Sequence, residues 1–403
     1  MYGEQVRLEE IANACGTPAY VYSSAAILDR FREYDAAFGA TPHRVCYAVK
    51  ANSNLAILAL LAKAGAGFDI VSGGELYRVL QAGGDPERVV FSGVGKTTAE
   101  IEYALNQGIH SFNCESEAEL EHLDAIARAR GVRVSVGLRV NPDVDAATHP
   151  YISTGMRENK FGIDIGEVER VYARAASLPG LLPEAVSCHI GSQMLDTTPM
   201  LEALDRVLAL IERLRAQGLP IRHLDFGGGV GVVYEPGQVA PDIGDLIRAV
   251  CARVAGRGLT VMVEPGRSIV AEAGVLLTRV ILRKRTPLKE FVVVDAAMND
   301  LIRPSLYQAH HEILPLRERD GRLLADVVGP VCESGDFLAR DRDLALVTAG
   351  DLLAVGTAGA YGFVQASNYN TRPRAPEVLL DGATWRLVRT RETYEDLVRG
   401  ESR

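Results

Sequence analysis

Between about residues 43 and 266 the chain repeats one pattern. A short apolar, often β-branched run is followed by a longer stretch rich in Ala, Leu and Glu with apolar positions at helical spacing. The strand-like runs are Arg44–Lys50, Gly67–Ser72, Arg88–Ser92, Ser111–Glu115, Val132–Val140, Ala185–Ile190, His223–Gly227 and Leu259–Glu264. The helical stretches are Leu55–Ala64, Gly74–Gln81, Thr98–Asn106, Glu117–Arg130, Glu167–Ala176, Met200–Gln217 and Asp242–Ala255. Strands alternating with helices predict a parallel sheet built from crossovers. Eight repeats fit a closed (β/α)8 barrel better than the competing open, doubly wound sheet. After residue 267 the texture changes to runs such as Gly274–Arg283, Phe291–Val294, Leu323–Val328 and Trp385–Thr390, which predict a β-sandwich or β-barrel domain. The expected division is a barrel domain over 25–267 and a β domain over 268–403. Thr17–Ser23, reading TPAYVYS, is strand-like and could join the latter.

In a (β/α)8 barrel the chemistry gathers at the C-terminal ends of the strands. Polar residues fall there at almost every strand: Lys50, then Ser72 and Glu75, Asn113–Glu115, Arg139 and Asn141, His189, Asp225 with its glycines, and Glu264. Lys50 lies in Tyr47-Ala48-Val49-Lys50-Ala51-Asn52, and the chain has only six lysines. A lysine ending a buried strand is costly unless paired or used covalently, and an amine of lowered pKa forms Schiff bases with aldehydes. A surface lysine is the plain alternative for Lys50 taken alone. Gly227-Gly228-Gly229 after the seventh strand would let backbone N–H groups close on an anion, in the region where barrels bind phosphate, though a flexible loop has the same composition. Glu264-Pro265-Gly266-Arg267 after the eighth strand offers a carboxylate for a pyridinium nitrogen and an arginine for a carboxylate. His189-Ile190-Gly191-Ser192-Gln193 offers a ring that can stack or move protons.

Composition narrows the function classes. The chain of 403 residues is 47% hydrophobic and 24% charged, enough to bury a large core. A net charge of -9 argues against nucleic acid as a partner. No apolar run is long enough to span a membrane and no signal segment opens the chain, so a cytoplasmic location is expected. The six cysteines form no C-x-x-C pair, which argues against a metal site, and free thiols are expected.

Taken in order, YAVKAN, HIGSQ, GGG, EPGR, CESGD (Cys332–Asp336) and AYG (Ala360–Gly362) resemble the alanine-racemase-type (fold type III) pyridoxal-phosphate decarboxylases. The resemblance runs from TPAYVYS to SNYNTRPRA and is greatest to the branch that converts meso-2,6-diaminopimelate to L-lysine and carbon dioxide. It implies that Lys50 carries pyridoxal 5'-phosphate as a Schiff base, Glu264 pairs with the pyridine nitrogen and His189 stacks on the ring. Ser192, Gly228, Gly229, Gly266, Arg267 and Tyr361 would serve the phosphate. Arg267, Arg303, Tyr307, Glu333 and Tyr361 would hold the far end of the substrate, and Cys332 would return the proton. It further implies a homodimer whose active site is shared across the interface. Asn368-Tyr369-Asn370 has no role assigned. Ornithine, arginine or lysine decarboxylation, carboxynorspermidine decarboxylation, racemisation, and a catalytically dead regulatory homologue remain the alternatives. Two arginines near the distal site favour a substrate with a second carboxylate.

Overall fold

A computed structural model describes residues 1–144 and 160–402. It divides into two compact units: Asp29–Val232 with Ala240–Ser268, and Met1–Leu28 with Val233–Val239 and Ile269–Arg403.

Among the described residues of the first unit, eight parallel strands, β1 to β8, form the barrel: His43–Ala48, Gly67–Ile70, Val89–Phe91, Ser111–Cys114, Val134–Asn141, Leu181–Cys188, His223–Asp225 and Thr260–Val263, with the two-residue strand Ile163–Asp164 pairing with the end of β5. Each pairs with the next. β8 returns to β1 through Val261↔His43 and Met262↔Arg44, so the sheet closes into the predicted barrel and the open-sheet alternative is excluded. The strands are buried along nearly their whole length, as parallel strands covered by helices must be. Cys46, Val90 and Met262 form one apolar cluster within it.

Several helices of this unit begin where a polar side chain satisfies one of their first backbone N–H groups. Asn54 accepts from Ala56 N, Ser72 and Ser116 accept from Glu75 N and Glu119 N, and Thr97 with Glu100 forms a full capping box. Ser72 is therefore a helix cap, which fixes the rim after β2. The sixth strand starts at Leu181 rather than Ala185, and other strand ends shift by one or two residues. β1 ends at Ala48, and Lys50 sits in the 3-10 turn Val49–Ala51 that follows. Ser24–Ala37 is a helix that the repeat pattern did not include.

In the second unit, the strand Ala19–Ser23 lies between Gly274–Arg285, antiparallel, and Glu377–Asp381, parallel. Gly274–Arg285 also pairs with Glu290–Val294 and with Leu352–Val355, and Arg322–Val328 pairs with Phe337–Ala345. One face buries Val21, Leu277, Ala354, Val378 and Leu380 against Leu8 and Ile11 of the helix Leu8–Cys15. Tyr20 and Tyr22 are also buried, their hydroxyls donating to Asp300 O at 2.7 Å and Glu377 Oε1 at 2.8 Å. All six cysteines are free, and Cys332 alone is exposed. Among the described residues no helix is long and apolar enough to cross a membrane.

Candidate active site

The barrel brings Lys50, His189, Ser192, Gly227–Gly229, Glu264, Gly266 and Arg267 to the C-terminal ends of its strands, because each follows a strand directly. Lys50 Nζ donates to Asp69 Oδ2 at 2.6 Å. Asp69 is 1% exposed, and its Oδ1 has no hydrogen-bond partner. Sequence reading passed over Asp69, although a carboxylate inside the apolar run Gly67–Ile70 is the kind of local contradiction that marks a site.

Three more carboxyls share this rim. Asp225, fully buried, accepts from Asn113 Nδ2 at 2.7 Å and from Gly227 N at 3.0 Å. Glu264 hydrogen-bonds to Asp225. Burial first, then the charges of Asp225 and Asp69, push the Glu264 carboxyl well above the usual carboxylate range. Burial raises Asp225 as well, so the two carboxyls resist ionising together, and Glu264 Oε1 is buried without a hydrogen-bond partner. Glu75, whose Oε2 accepts from Val71 N at 2.7 Å, is pushed up to about 7, chiefly by burial and secondarily by Asp69.

His189 is neutral. Burial lowers its pKa most, and the positive charges of Arg139 and Lys50 lower it further. Gly228 N donates to His189 Nδ1 at 3.3 Å, which places the ring proton on Nε2. Arg139 is anchored at 3.1 Å to Glu115 and stacks over Phe161 at 4.8 Å.

The glycine run is held tightly rather than being a flexible linker. A Cβ on Gly227, Gly228 or Gly229 would lie 2.4 Å from Cys188 O, 2.2 Å from Glu264 O or 2.2 Å from Gly191 O, respectively. Gly227 and Gly229 have φ of +70° and +115°, which side chains resist. Met194 N donates to Gly229 O at 3.0 Å, tying this loop to the loop after β6. In that loop, Ser192 Oγ accepts from Arg267 Nη2 at 3.0 Å. A Cβ on Gly266 would meet the Ala51 and Ala48 side chains at 2.9 and 3.1 Å.

The residues fit a phosphate-bearing pyridine aldehyde on three counts: a primary amine in a pit of carboxyls, a partnerless buried carboxyl oxygen, and a glycine cradle closed to side chains. Arg303, Tyr307, Cys332, Glu333 and Tyr361 belong to the other unit. Arg303 opens the short helix Arg303–Tyr307 and is 5% exposed. Tyr307 Oη accepts from Gln365 Nε2 at 3.3 Å. Cys332 N donates to Asn370 Oδ1 at 2.9 Å, and Tyr369 hydrogen-bonds to Glu333. Asp336 braces the same turn by accepting from Met298 N and Val331 N, each at 2.7 Å. Tyr361 has φ of +55°. Sequence reading missed His311 and Tyr234, which contact Arg303, and no local pattern marks them.

Residues 24–271 match the family model described as pyridoxal-dependent decarboxylase, pyridoxal binding domain. A diaminopimelate decarboxylase of Pseudomonas aeruginosa is 60% identical, covering 100% of this chain and 97% of that protein. The one from Vibrio cholerae is 54% identical, covering 98% and 95%. The crystal structure of diaminopimelate decarboxylase from Helicobacter pylori complexed with L-lysine superposes with a TM-score of 0.94 at 44% identity, covering 97% of this chain and 98% of that one.

Proposed function

Because the chain belongs to the pyridoxal-dependent decarboxylases, we propose that its active site releases carbon dioxide from one end of meso-2,6-diaminopimelate and leaves L-lysine. The protein uses pyridoxal phosphate. When bound, this cofactor supplies an aldehyde for a primary amine and a ring that takes up the electron pair left by the departing carbon dioxide.

The chain's own residues do the rest. Lys50 supplies the amine, and Asp69 steers its Nζ and receives its charge. Glu264 would hold the cofactor's ring nitrogen, its carboxyl supplying a proton and then the balancing negative charge. Neutral His189 offers a flat face without adding positive charge. Gly228, Gly229 and Gly266 would line the phosphate, Gly229 and Gly266 with backbone N–H groups and Gly228 by leaving room beside the N–H it gives to His189, with Ser192, Arg267 and Tyr361 adding side chains. Arg267, Arg303, Tyr307 and Tyr361 hold the carboxylate at the end that does not react, and Glu333 holds its ammonium. Cys332 Sγ returns a proton to the carbon that lost carbon dioxide.

Cys332 is exposed on the single chain, so this last role asks for a second copy that encloses it. The working enzyme is accordingly a homodimer with Cys332 and Glu333 serving the partner's Lys50. Lys50 Nζ, held 2.6 Å from a buried carboxylate on the rim that also carries Glu264, is the observation that carries the reading of the cofactor site. Identity of 44–60% over the whole chain to diaminopimelate decarboxylases carries that of the substrate.

The test is a carbon dioxide release assay on the holoenzyme with meso-diaminopimelate, its LL isomer, lysine, ornithine and arginine, together with borohydride reduction and peptide mapping. The expected result is release from meso-diaminopimelate above all others, with the reduced cofactor on Lys50. Preference for ornithine or lysine would overturn the substrate, and a label elsewhere would overturn the role of Lys50.

A further inference from the structure

We propose that His311 is a positioning residue for Arg303 and thereby sets how tightly the enzyme holds the non-reacting carboxylate of its substrate. The inference rests on the reading of Arg303 given above.

Arg303 is 5% exposed and His311 is wholly buried. The His311 ring is clamped at both nitrogens: Nδ1 lies 2.8 Å from Gly356 O, and Nε2 lies 3.0 Å from Arg303 Nη1. A carbonyl oxygen only accepts, so Nδ1 carries the hydrogen. A guanidinium only donates, so Nε2 keeps its lone pair. The two neighbours thus fix one tautomer and require a neutral ring.

Tyr234 completes the seat. The Arg303 guanidinium carbon lies 4.4 Å from the centre of the Tyr234 ring, which meets the His311 ring edge-on at 5.4 Å and 78°. The backbone carbonyls of these two residues are held in turn: Tyr234 O is 2.9 Å from His310 Nδ1, and His311 O accepts from Arg342 Nη1 at 2.8 Å. The hydrogen bond to His311 and the contact with the Tyr234 ring together restrain the guanidinium. Neither His311 nor Tyr234 brings a negative charge. An arginine oriented before its ligand arrives loses less freedom on binding and presents its fork at a set angle to a carboxylate.

The variants separate the two His311 contacts. In His311→Asn the amide N–H takes the place of Nδ1–H and keeps the bond to Gly356, while the acceptor for Arg303 is lost. In His311→Gln the amide oxygen reaches the place of Nε2 and restores that acceptor. The probes are meso-diaminopimelate, L-lysine as product inhibitor, and cadaverine, which is lysine without its carboxylate. Inhibition constants on the holoenzyme are paired with calorimetric titration of lysine.

His311→Asn is expected to raise KM and the lysine Ki about ten-fold, the worth of one charge-assisted hydrogen bond, with kcat nearly unchanged. The cadaverine Ki should stay as it was, and His311→Gln should recover most of the loss. An unchanged lysine Ki in His311→Asn, while Arg303→Ala weakens lysine, would overturn the inference alone. An equal rise for lysine and cadaverine would also overturn it, because the effect would then be general distortion. Should Arg303→Ala leave lysine binding intact, the reading of Arg303 fails and the inference fails with it.

Discussion

At the residue scale the barrel stores ionisable groups at both ends of its strands, and the two ends behave differently. At the C-terminal ends, burial drives Glu264 and Glu75 toward their protonated forms, which suits a site that must hand a proton to a bound ring. At the opposite ends His110, just before β4, and His223, opening β7, pack edge to face at 5.5 Å. His110 Nε2 and His223 Nδ1 are buried without hydrogen-bond partners. Burial, then Arg44 and His223, lower the pKa of His110 to about 4. His223 is lowered as well, mainly by burial, against the pull of Glu184. A histidine with a depressed folded pKa is charged more readily when the chain is unfolded. Its contribution is fully present above about pH 6.5 and is lost as pH falls toward 4. That loss is opposed by Glu75 and Glu264, whose raised pKa values favour the folded chain as pH falls, so the histidine's share is read by difference. In denaturant unfolding, the change in stability from pH 7 to pH 5 should be more favourable for His110→Phe, which keeps a ring and removes the charge, than for the unsubstituted chain by about 1 kcal/mol, a value discounted because the ring is partly in contact with water. An equal change in both would mean that this histidine takes up no proton on unfolding.

At the element scale, what was legible followed burial. The eight barrel strands are covered on both sides and read as unbroken apolar runs, so their positions came through to within a few residues. Phe337–Ala345, reading FLARDRDLA, carries four consecutive charged residues and pairs across two register shifts, so it lacks the clean alternation that marks a strand and was not among the runs read as one. Ser24–Ala37 shows buried Ile27, Phe31 and Tyr34 at helical spacing, a signal that was available but fell before the first repeat. For the site, Lys50, His189, the glycines and Glu264 stood out because each is anomalous at a strand end. His311 did not, because its meaning lies in contacts to Arg303 and Gly356 that no spacing reveals. Ala19–Ser23 carries an element-level prediction. It fills the gap between Gly274–Arg285 and Glu377–Asp381, so deleting residues 1–23 would bare two strand edges. Size-exclusion chromatography of that truncation should show aggregates in place of a discrete peak. A monodisperse, active product would contradict the central place given to this strand.

At the scale of the whole molecule, the proposed sharing of the active site between two copies makes a quantitative claim. Neither Lys50→Ala nor Cys332→Ala should turn over substrate appreciably alone. Mixed, unfolded and refolded together, they should regain about a quarter of wild-type activity, because half the dimers are mixed and each of those has one intact site of two. No recovery, with mixed dimers verified by mass spectrometry, would place Cys332 in its own chain's site. The path of the chain has a further consequence, in time rather than in space. The β-unit strand Ala19–Ser23 emerges from the ribosome first, yet its partners begin at Gly274 and Glu377. At roughly 5–20 residues per second, about 250 residues of barrel must be translated before the first partner appears, an interval on the order of 10–50 seconds. For that interval Tyr20, Val21 and Tyr22, buried in the finished protein, have no sheet to enter. The growing chain must shield them or be shielded, which makes newborn protein, rather than mature enzyme, the form most exposed to aggregation.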